Sequence, residues 1–364
     1  MYYENELKAL KRAGRFRQRE IVDYKLLDFS SNDYLGLAHN KELHTATCHE
    51  LSQLKINSSK ASLLVSGYHK IHKDFEKTLC ELNNFADGVV VGSGFNANIA
   101  LIEALVRKGD VLFMDEKYHA SGVLASNFVG IEVYFFAHND MNELESLLKN
   151  TNNKKRKIVA VEGIYSMDGD MVKGEVFALC DSCDALLIVD EAHSSGVVGE
   201  NLLGVFDFYN IAPQKNHIKM GTLGKAYGSF GAYILASEHI ISYLLNRAKP
   251  LIYATSLSLY DTLLAHNALK FMQENKTKIK QDIKIRQEII KNTLGLEIPS
   301  LIVPIEIGNN LHVMKIKEQM TTLGFSVGAI REPTVSKAII RLIARLGQTP
   351  QELQALCDNI TQLR

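Results

Sequence analysis

The chain reads as an α/β protein, a doubly wound and mainly parallel sheet between helices, with a smaller α+β unit at the C-terminal end. Three observations carry this reading. First, apolar runs of strand character, KIVAV (157–161), LLIV (186–189) and GAYILA (231–236), alternate with helical stripes, as buried strands of a parallel sheet do. Second, DEKYHAS (115–121), IVDEAHSSG (188–196) and TLGKAYG (222–228) each begin in or just after such a run and end in small or polar residues. In an open parallel sheet, strand ends of this kind gather along one edge. Third, the polar stretch ENKTKIKQDIKIRQE (274–288) changes the character of the chain and leads into a second unit.

The elements follow in order. FEKTLCELNNF places Phe75, Leu79, Leu82 and Phe85 on one helical stripe, with Gly88 as its stop and VVV as the next strand. GSGFNAN (92–98) is a glycine-rich turn between that strand and a helix. Asp140 is an N-cap with Glu143 three residues on, as in a capping box, ahead of Leu144, Leu147 and Leu148. The 274–288 stretch reads as a long solvated helix. Val313, Ile316 and Leu323 form a further stripe that Gly324 ends, and FSVGAI follows as a strand. The last helix starts at Thr349 as N-cap, with Pro350 at its first position and Glu352 closing the box. Leu353, Leu356, Ile360 and Leu363 supply its buried face. The expected division is an N-terminal segment over 1–45, a large α/β domain over 46–255 and a C-terminal α+β domain over 256–364.

Composition narrows the function. Lys plus Arg and Asp plus Glu both number 41, so no basic field points to nucleic acid or to an anionic membrane. The N-terminal residues are charged and lack the apolar core of a signal peptide, and no stretch is long and apolar enough to span a bilayer. A cytoplasmic location is the expectation. Cys48, Cys80, Cys180, Cys183 and Cys357 make no disulfide framework. Cys180 and Cys183 form a lone CxxC with no second pair to complete a zinc site, so they read as packed thiols and no metal is expected.

The chemistry concentrates at the strand ends. Lys225, Asp190, His193 and His119 converge on one crevice if the sheet is parallel. A lysine amine beside a buried carboxylate and imidazoles matches the needs of a pyridoxal-phosphate enzyme, with Lys225 binding the aldehyde and Asp190 partnering the pyridine nitrogen. Each residue alone has a blander reading: an exposed lysine, a helix-capping acid, a structural histidine. GSGFNAN is not GxGxxG, which argues against a dinucleotide enzyme, while its backbone N–H groups at a helix start suit a phosphate.

In sequence order, SSNDYLGL (30–37), LVSGY (64–68), GSGFNAN, DEKYHAS, AHND (137–140), EGIYSMDGD (162–170), IVDEAHSSG, TLGKAYG, LIYATS (251–256) and IREPTV (330–335) resemble the α-oxoamine synthase family of fold-type I pyridoxal-phosphate enzymes. The resemblance implies a fold-type I transferase with a seven-stranded type of sheet. It implies that Lys225 holds the cofactor and removes the α-proton, that Asp190 meets the ring nitrogen and that His119 stacks on the ring. It places His193 and Ser166 near the ring oxygen, and Gly94, Phe95 and Thr222 at the phosphate. Thr255 matches a phosphate contact received from the neighbouring subunit, hence a homodimer with shared sites. Asn32 and Arg341 resemble the pair that binds the amino-acid carboxylate. The loop before Arg341 is about two residues short and Gln348 falls where the family has a histidine, so Arg345 is the fallback; Arg341 is preferred because it leaves QTP in register with the start of the last helix. Arg17 and Arg331 are candidates for the acyl donor's distal carboxylate or its carrier's phosphates.

The reaction implied is a decarboxylative condensation of L-alanine with a pimeloyl thioester, carried by coenzyme A or acyl carrier protein, at the entry to the biotin rings. A glycine-using acyltransferase is the alternative within the family, and a catalytically silent dimeric binding module the alternative outside it. Departures from the family pattern fall at Ala61-Ser62-Leu63 before LVSGY and at Gln348.

Overall fold

In the computed structural model, residues 2–13, 15–128, 130–151 and 155–363 are described. Seven strands form the central sheet: β1 (Asp87–Val91), β2 (Val111–Asp115), β3 (Glu132–Phe136), β4 (Lys157–Glu162), β5 (Ala185–Asp190), β6 (His217–Thr222) and β7 (Ala232–Ala236). Their spatial order is β1-β7-β6-β5-β4-β2-β3. All neighbours run parallel except that β7 is antiparallel to both β1 and β6. GAYILA is therefore a buried strand, but not a parallel one. Every residue of β2, β4 and β7 is buried, as expected of a sheet covered on both faces. Its two faces pack into two separate apolar clusters, one around Phe113, Val159 and Leu187, the other around Leu112, Ile158 and Ile188.

A smaller antiparallel sheet follows, in the order β9-β10-β8, from β8 (Ile302–Gly308), β9 (Gly328–Ile330) and β10 (Ala338–Ile343). The helix connecting the two sheets, Leu259–Leu294, is 36 residues long. The polar stretch lies inside it, yet Ile279, Ile283 and Arg286 are buried, so one face packs where a solvated helix was expected. Residues 27–28 pair with 325–326, and Phe29 O accepts from Ile343 N at 2.9 Å. SSNDYLGL is thereby stitched onto the C-terminal sheet.

Local signals resolve as follows. The first stripe forms helix Lys70–Asn83, which ends at Asn84 in the left-handed region (φ 58°), while Gly88 lies within β1. Gly88 is needed there for a different reason, since a Cβ would stand 2.6 Å from Leu235 Cδ2. Asp140 Oδ1 caps Asn142 and Glu143 N–H, but Glu143 reaches back to Ala137 N–H and not to Asp140. Thr349 and Glu352 form the full reciprocal box. Val313 and Ile316 are buried in helix Asn310–Thr322, whereas Leu323 stands outside it, half exposed. FSVGAI divides into the two short strands 325–326 and 328–330. Cys180 is buried and Cys183 partly buried, both free thiols, and the described residues hold no cluster of metal-ligand type.

Candidate active site

The carboxyl ends of β2, β4, β5 and β6 deliver Asp115, Glu162, Asp190 and Thr222 to one edge, and the loop after β6 carries Lys225 over it. Lys225 Nζ lies 2.6 Å from His193 Nε2. His193 Nδ1 lies 2.5 Å from Tyr34 Oη, so the imidazole is held from both sides. Burial, reinforced by Lys225, Arg341 and His119, pushes the His193 pKa well below the ordinary value. The ring is neutral, and when Lys225 donates to Nε2 its own proton sits on Nδ1, facing Tyr34. Burial also lowers the Lys225 pKa, to about 8, with Arg341 assisting and Asp190 and Glu162 opposing. An amine in that range is neutral often enough to act as a nucleophile or base.

Asp190 is buried at the end of β5. Its Oδ2 accepts from Asn98 Nδ2 at 2.8 Å and its Oδ1 from Ala192 N at 2.9 Å. Tyr118 Oη in turn donates to Asn98 Oδ1 at 2.7 Å, which sets the amide's orientation. The carboxylate thus has two neutral donors. A buried carboxylate of this kind suits a cationic N–H partner. His119 sits on the exposed lip, its Nδ1 accepting from Ser121 N at 3.2 Å.

The glycine-rich turn opens helix Gly94–Leu105, with Ser93 as N-cap accepting from Asn96 N. A Cβ on Gly94 would lie 3.7 Å from Thr222 Cβ, so these two residues form one corner, and Phe95 beside them is half exposed. N–H groups at that helix start make an anion site. Arg341, in β10, donates from Nη1 to Asn32 Oδ1 (3.1 Å) and from Nε to Ser166 O (2.7 Å). Arg345 is committed elsewhere: its guanidinium is buried against Asp28 and Asp33 and Nε donates to Asp33 O.

Lys225, His193, Asp190, Asn32, Ser166 and Arg341 are thus brought together, with Gly94 and Thr222 forming a corner near them. Arg17 and Arg331 stand apart, lining a cavity of about 700 Å³ with Leu7, Leu10 and Phe16. Thr255 is exposed, bridged to Ser62, and not brought to the cluster by its own chain. Sequence reasoning missed Tyr34, Asn98 and Glu162. Glu162 carried the same signal as Asp190, an acid ending an apolar strand run, and Asn98 lies one helical turn beyond Gly94.

The aminotransferase class I and II profile matches residues 24–360. An 8-amino-7-oxononanoate synthase from Helicobacter pylori (strain J99) is 40% identical over 357 residues, covering 98% of this chain and 96% of that protein. The 8-amino-7-oxononanoate synthase of Francisella tularensis superposes with a TM-score of 0.77 at 26% identity, covering 93% of this chain and 98% of that one. Sphingomonas wittichii serine palmitoyltransferase shares the fold, with a TM-score of 0.88 at 20% identity over 99% of this chain and 97% of that one. The chain belongs to the aminotransferase class I and II family, in the α-oxoamine synthase branch that holds the 8-amino-7-oxononanoate synthases.

Proposed function

We propose that this protein condenses L-alanine with a pimeloyl thioester to give 8-amino-7-oxononanoate, carbon dioxide and the free thiol carrier, using pyridoxal 5'-phosphate. The observation that carries the reading is a partly buried lysine of lowered pKa gathered with Asp190, His193 and the Arg341–Asn32 pair. The residues present fit the cofactor. Asp190 keeps both oxygens on neutral N–H donors where a pyridinium N–H can join them, and the Gly94–Thr222 corner with Phe95 N–H suits the phosphate. By the family resemblance His119 would stack on the ring, and His193 and Ser166 would stand near its oxygen. The phosphate site is completed by Thr255 of the partner subunit in a homodimer.

When bound, the cofactor supplies an electron sink for carbanion chemistry at the amino-acid Cα. The chain's own groups do the rest. Arg341, a planar fork already steadied by Asn32 Oδ1 and Ser166 O, receives the alanine carboxylate; Arg345, saturated by Asp28 and Asp33, does not. Lys225 removes the Cα proton, and neutral His193 keeps the amine oriented and takes up its hydrogen bond. The freed carbon attacks the thioester carbonyl, the C–S bond breaks and the carrier leaves as its thiol; the α-carboxyl group then leaves as carbon dioxide, and Cα takes a proton back from Lys225. Arg17 and Arg331 line the cavity proposed for the distal carboxylate of the acyl chain or the phosphates of its carrier.

The test is a visible spectrum of the purified protein with pyridoxal phosphate, before and after L-alanine and then glycine, with Lys225→Ala as control. A band that responds to L-alanine, and is absent from K225A, is the expected result, together with product formation from pimeloyl thioester. A response to glycine alone moves the reading to a glycine-using acyltransferase, and a protein that never takes up the cofactor overturns the enzyme reading.

A further inference from the structure

Glu162 is a second buried carboxylate at the floor of the cluster, and the reaction outlined above leaves it without a task. It ends β4 directly opposite Asp190, which ends β5, the two being register partners on parallel strands about 4.8 Å apart. Only 2% of Glu162 is exposed. Its Oε2 accepts from Ser166 N at 3.2 Å, while Oε1 is buried with no hydrogen-bond partner among the described residues. The contrast with Asp190 is direct, because both Asp190 oxygens are taken by N–H donors.

We propose that the Glu162–Asp190 pair holds a single proton, resident on Glu162 Oε1, and that Glu162 is a positioning residue: a neutral acid that anchors Ser166, and through it Arg341, without adding a negative charge beside Lys225.

Four observations converge on this. Two carboxyl groups side by side in a dry site do not both ionise cheaply, so one keeps its proton. Both Asp190 oxygens already accept from N–H donors, whereas Glu162 leaves Oε1 open to carry an O–H. The charged and titratable groups around Glu162 include Asp190, Asp115, Tyr34, Tyr118 and Tyr165, with Lys225 the cation that acts on it and Arg341 and His138 one residue further out, on Ser166 O and Asp115. Burial first, and Asp190's charge second, raise the Glu162 pKa well above the ordinary carboxyl value, against the pull of Lys225 and the Ser166 N–H. A neutral Glu162 also relieves Lys225 of one of the two acids that would hold its proton on. Its Oε2 still fixes the Ser166 backbone, whose carbonyl receives Arg341 Nε.

The experiment compares the wild type with Glu162→Gln and Glu162→Ala, each loaded with pyridoxal phosphate. Three readouts are used: the infrared C=O stretch of a protonated carboxyl, the pH titration of the visible cofactor band, and the dissociation constant for L-alanine. The infrared band is expected in the wild type and absent from E162Q. E162Q, a neutral isostere, is expected to titrate within about 0.3 pH unit of the wild type and to bind alanine within about twofold. E162A, which loses the Ser166 anchor, is expected to bind alanine about five- to tenfold more weakly, with the titration little moved. A wild type without the infrared band, or an E162Q titration displaced downward by a full unit, shows an ionised Glu162 and overturns the proposal. Unchanged alanine binding in E162A overturns the positioning role. The inference rests on the proposed condensation only for its alanine readout. The infrared band and the titration are read whatever the protein condenses, so failure of that reaction and failure of this proposal are told apart.

Discussion

Tyr34 governs the site from a distance of one hydrogen bond. Its hydroxyl, fully buried and 2.5 Å from His193 Nδ1, selects which imidazole nitrogen faces Lys225. Tyr34→Phe is expected to cost about 1 kcal/mol, read as a roughly fivefold fall in kcat with KM for alanine nearly unchanged. Steady-state rates on the loaded enzyme check this. A second, partly buried imidazole has a structural task. His138 Nδ1 pairs with Asp115 (3.0 Å) and Nε2 with Asp170 (2.8 Å), and Tyr165 meets its ring edge-on. Burial opposes its charge, but the two carboxylates outweigh that and raise its pKa to about 9, from an ordinary 6.5. Because the folded value is the higher one, the stabilisation is complete below pH 6.5 and disappears as pH rises through about 9. His138→Asn leaves Asp115 buried without its cation, so unfolding at neutral pH is expected about 3 kcal/mol easier, and the loss of stability toward alkaline pH should flatten. Denaturant unfolding at several pH values measures both. These residues also mark how far single positions were legible. Asp190 and Lys225 stood out because a strand run ended on one and small residues framed the other. Tyr34 lay in a quoted motif yet showed nothing, because its partner is 159 positions away. Arg341 and Arg345 could not be separated by counting across a shortened loop, and only the carboxylates around Arg345 distinguish them.

At the scale of elements, three distant segments meet through glycines. Gly228 (φ +61°), closing the Lys225 loop, would place a Cβ 2.5 Å from Ala38 N and 2.6 Å from Leu37 C. Gly36 (φ +72°) does the same against Gly347 Cα at 2.7 Å. The lysine loop therefore rests on SSNDYLGL, which rests on the segment after β10. Gly228→Ala is expected to destabilise the protein by about 2 kcal/mol through strain and steric overlap, and to weaken cofactor retention by lifting Lys225 away from His193. Thermal unfolding and the visible band after dialysis report the two effects separately. Helix starts were readable where the chemistry is local, as at Thr349–Pro350–Glu352. The direction of β7 was not, since an apolar run looks the same whichever way the strand runs. Nor was the buried face of the 36-residue helix, because its Ile279 and Ile283 are diluted by lysines and Arg286 is buried among carbonyls of Asp282, Arg345 and Gln348.

At the scale of the whole molecule, the corner proposed for the phosphate is accompanied by exposed aromatic side chains. Phe95, next to Gly94, and Phe230, next to Gly231, are 46% and 58% exposed, and Thr222 Oγ1 donates to Gly231 O. Ser62 and Thr255 form an isolated bridge, and beside it Leu64, Val65 and Tyr253 are 52%, 81% and 79% exposed. Large apolar side chains exposed together mark a protein contact more readily than a solvated face. A second copy placed there would bring Thr255 of the partner subunit to the phosphate and cover these side chains at once. Two substitutions separate the consequences. Val65→Glu puts a charge into the contact, and sedimentation is expected to show monomers that release the cofactor on dialysis. Thr255→Ala removes one hydroxyl, so the dimer is expected to persist while phosphate-dependent cofactor affinity falls by roughly fivefold, the equivalent of about 1 kcal/mol. A V65E protein that stays dimeric, or a monomer that keeps its cofactor as tightly as the parent, would place the shared corner elsewhere on the surface. The charge distribution is compatible with self-association, because 41 basic and 41 acidic residues leave no net repulsion between copies at neutral pH.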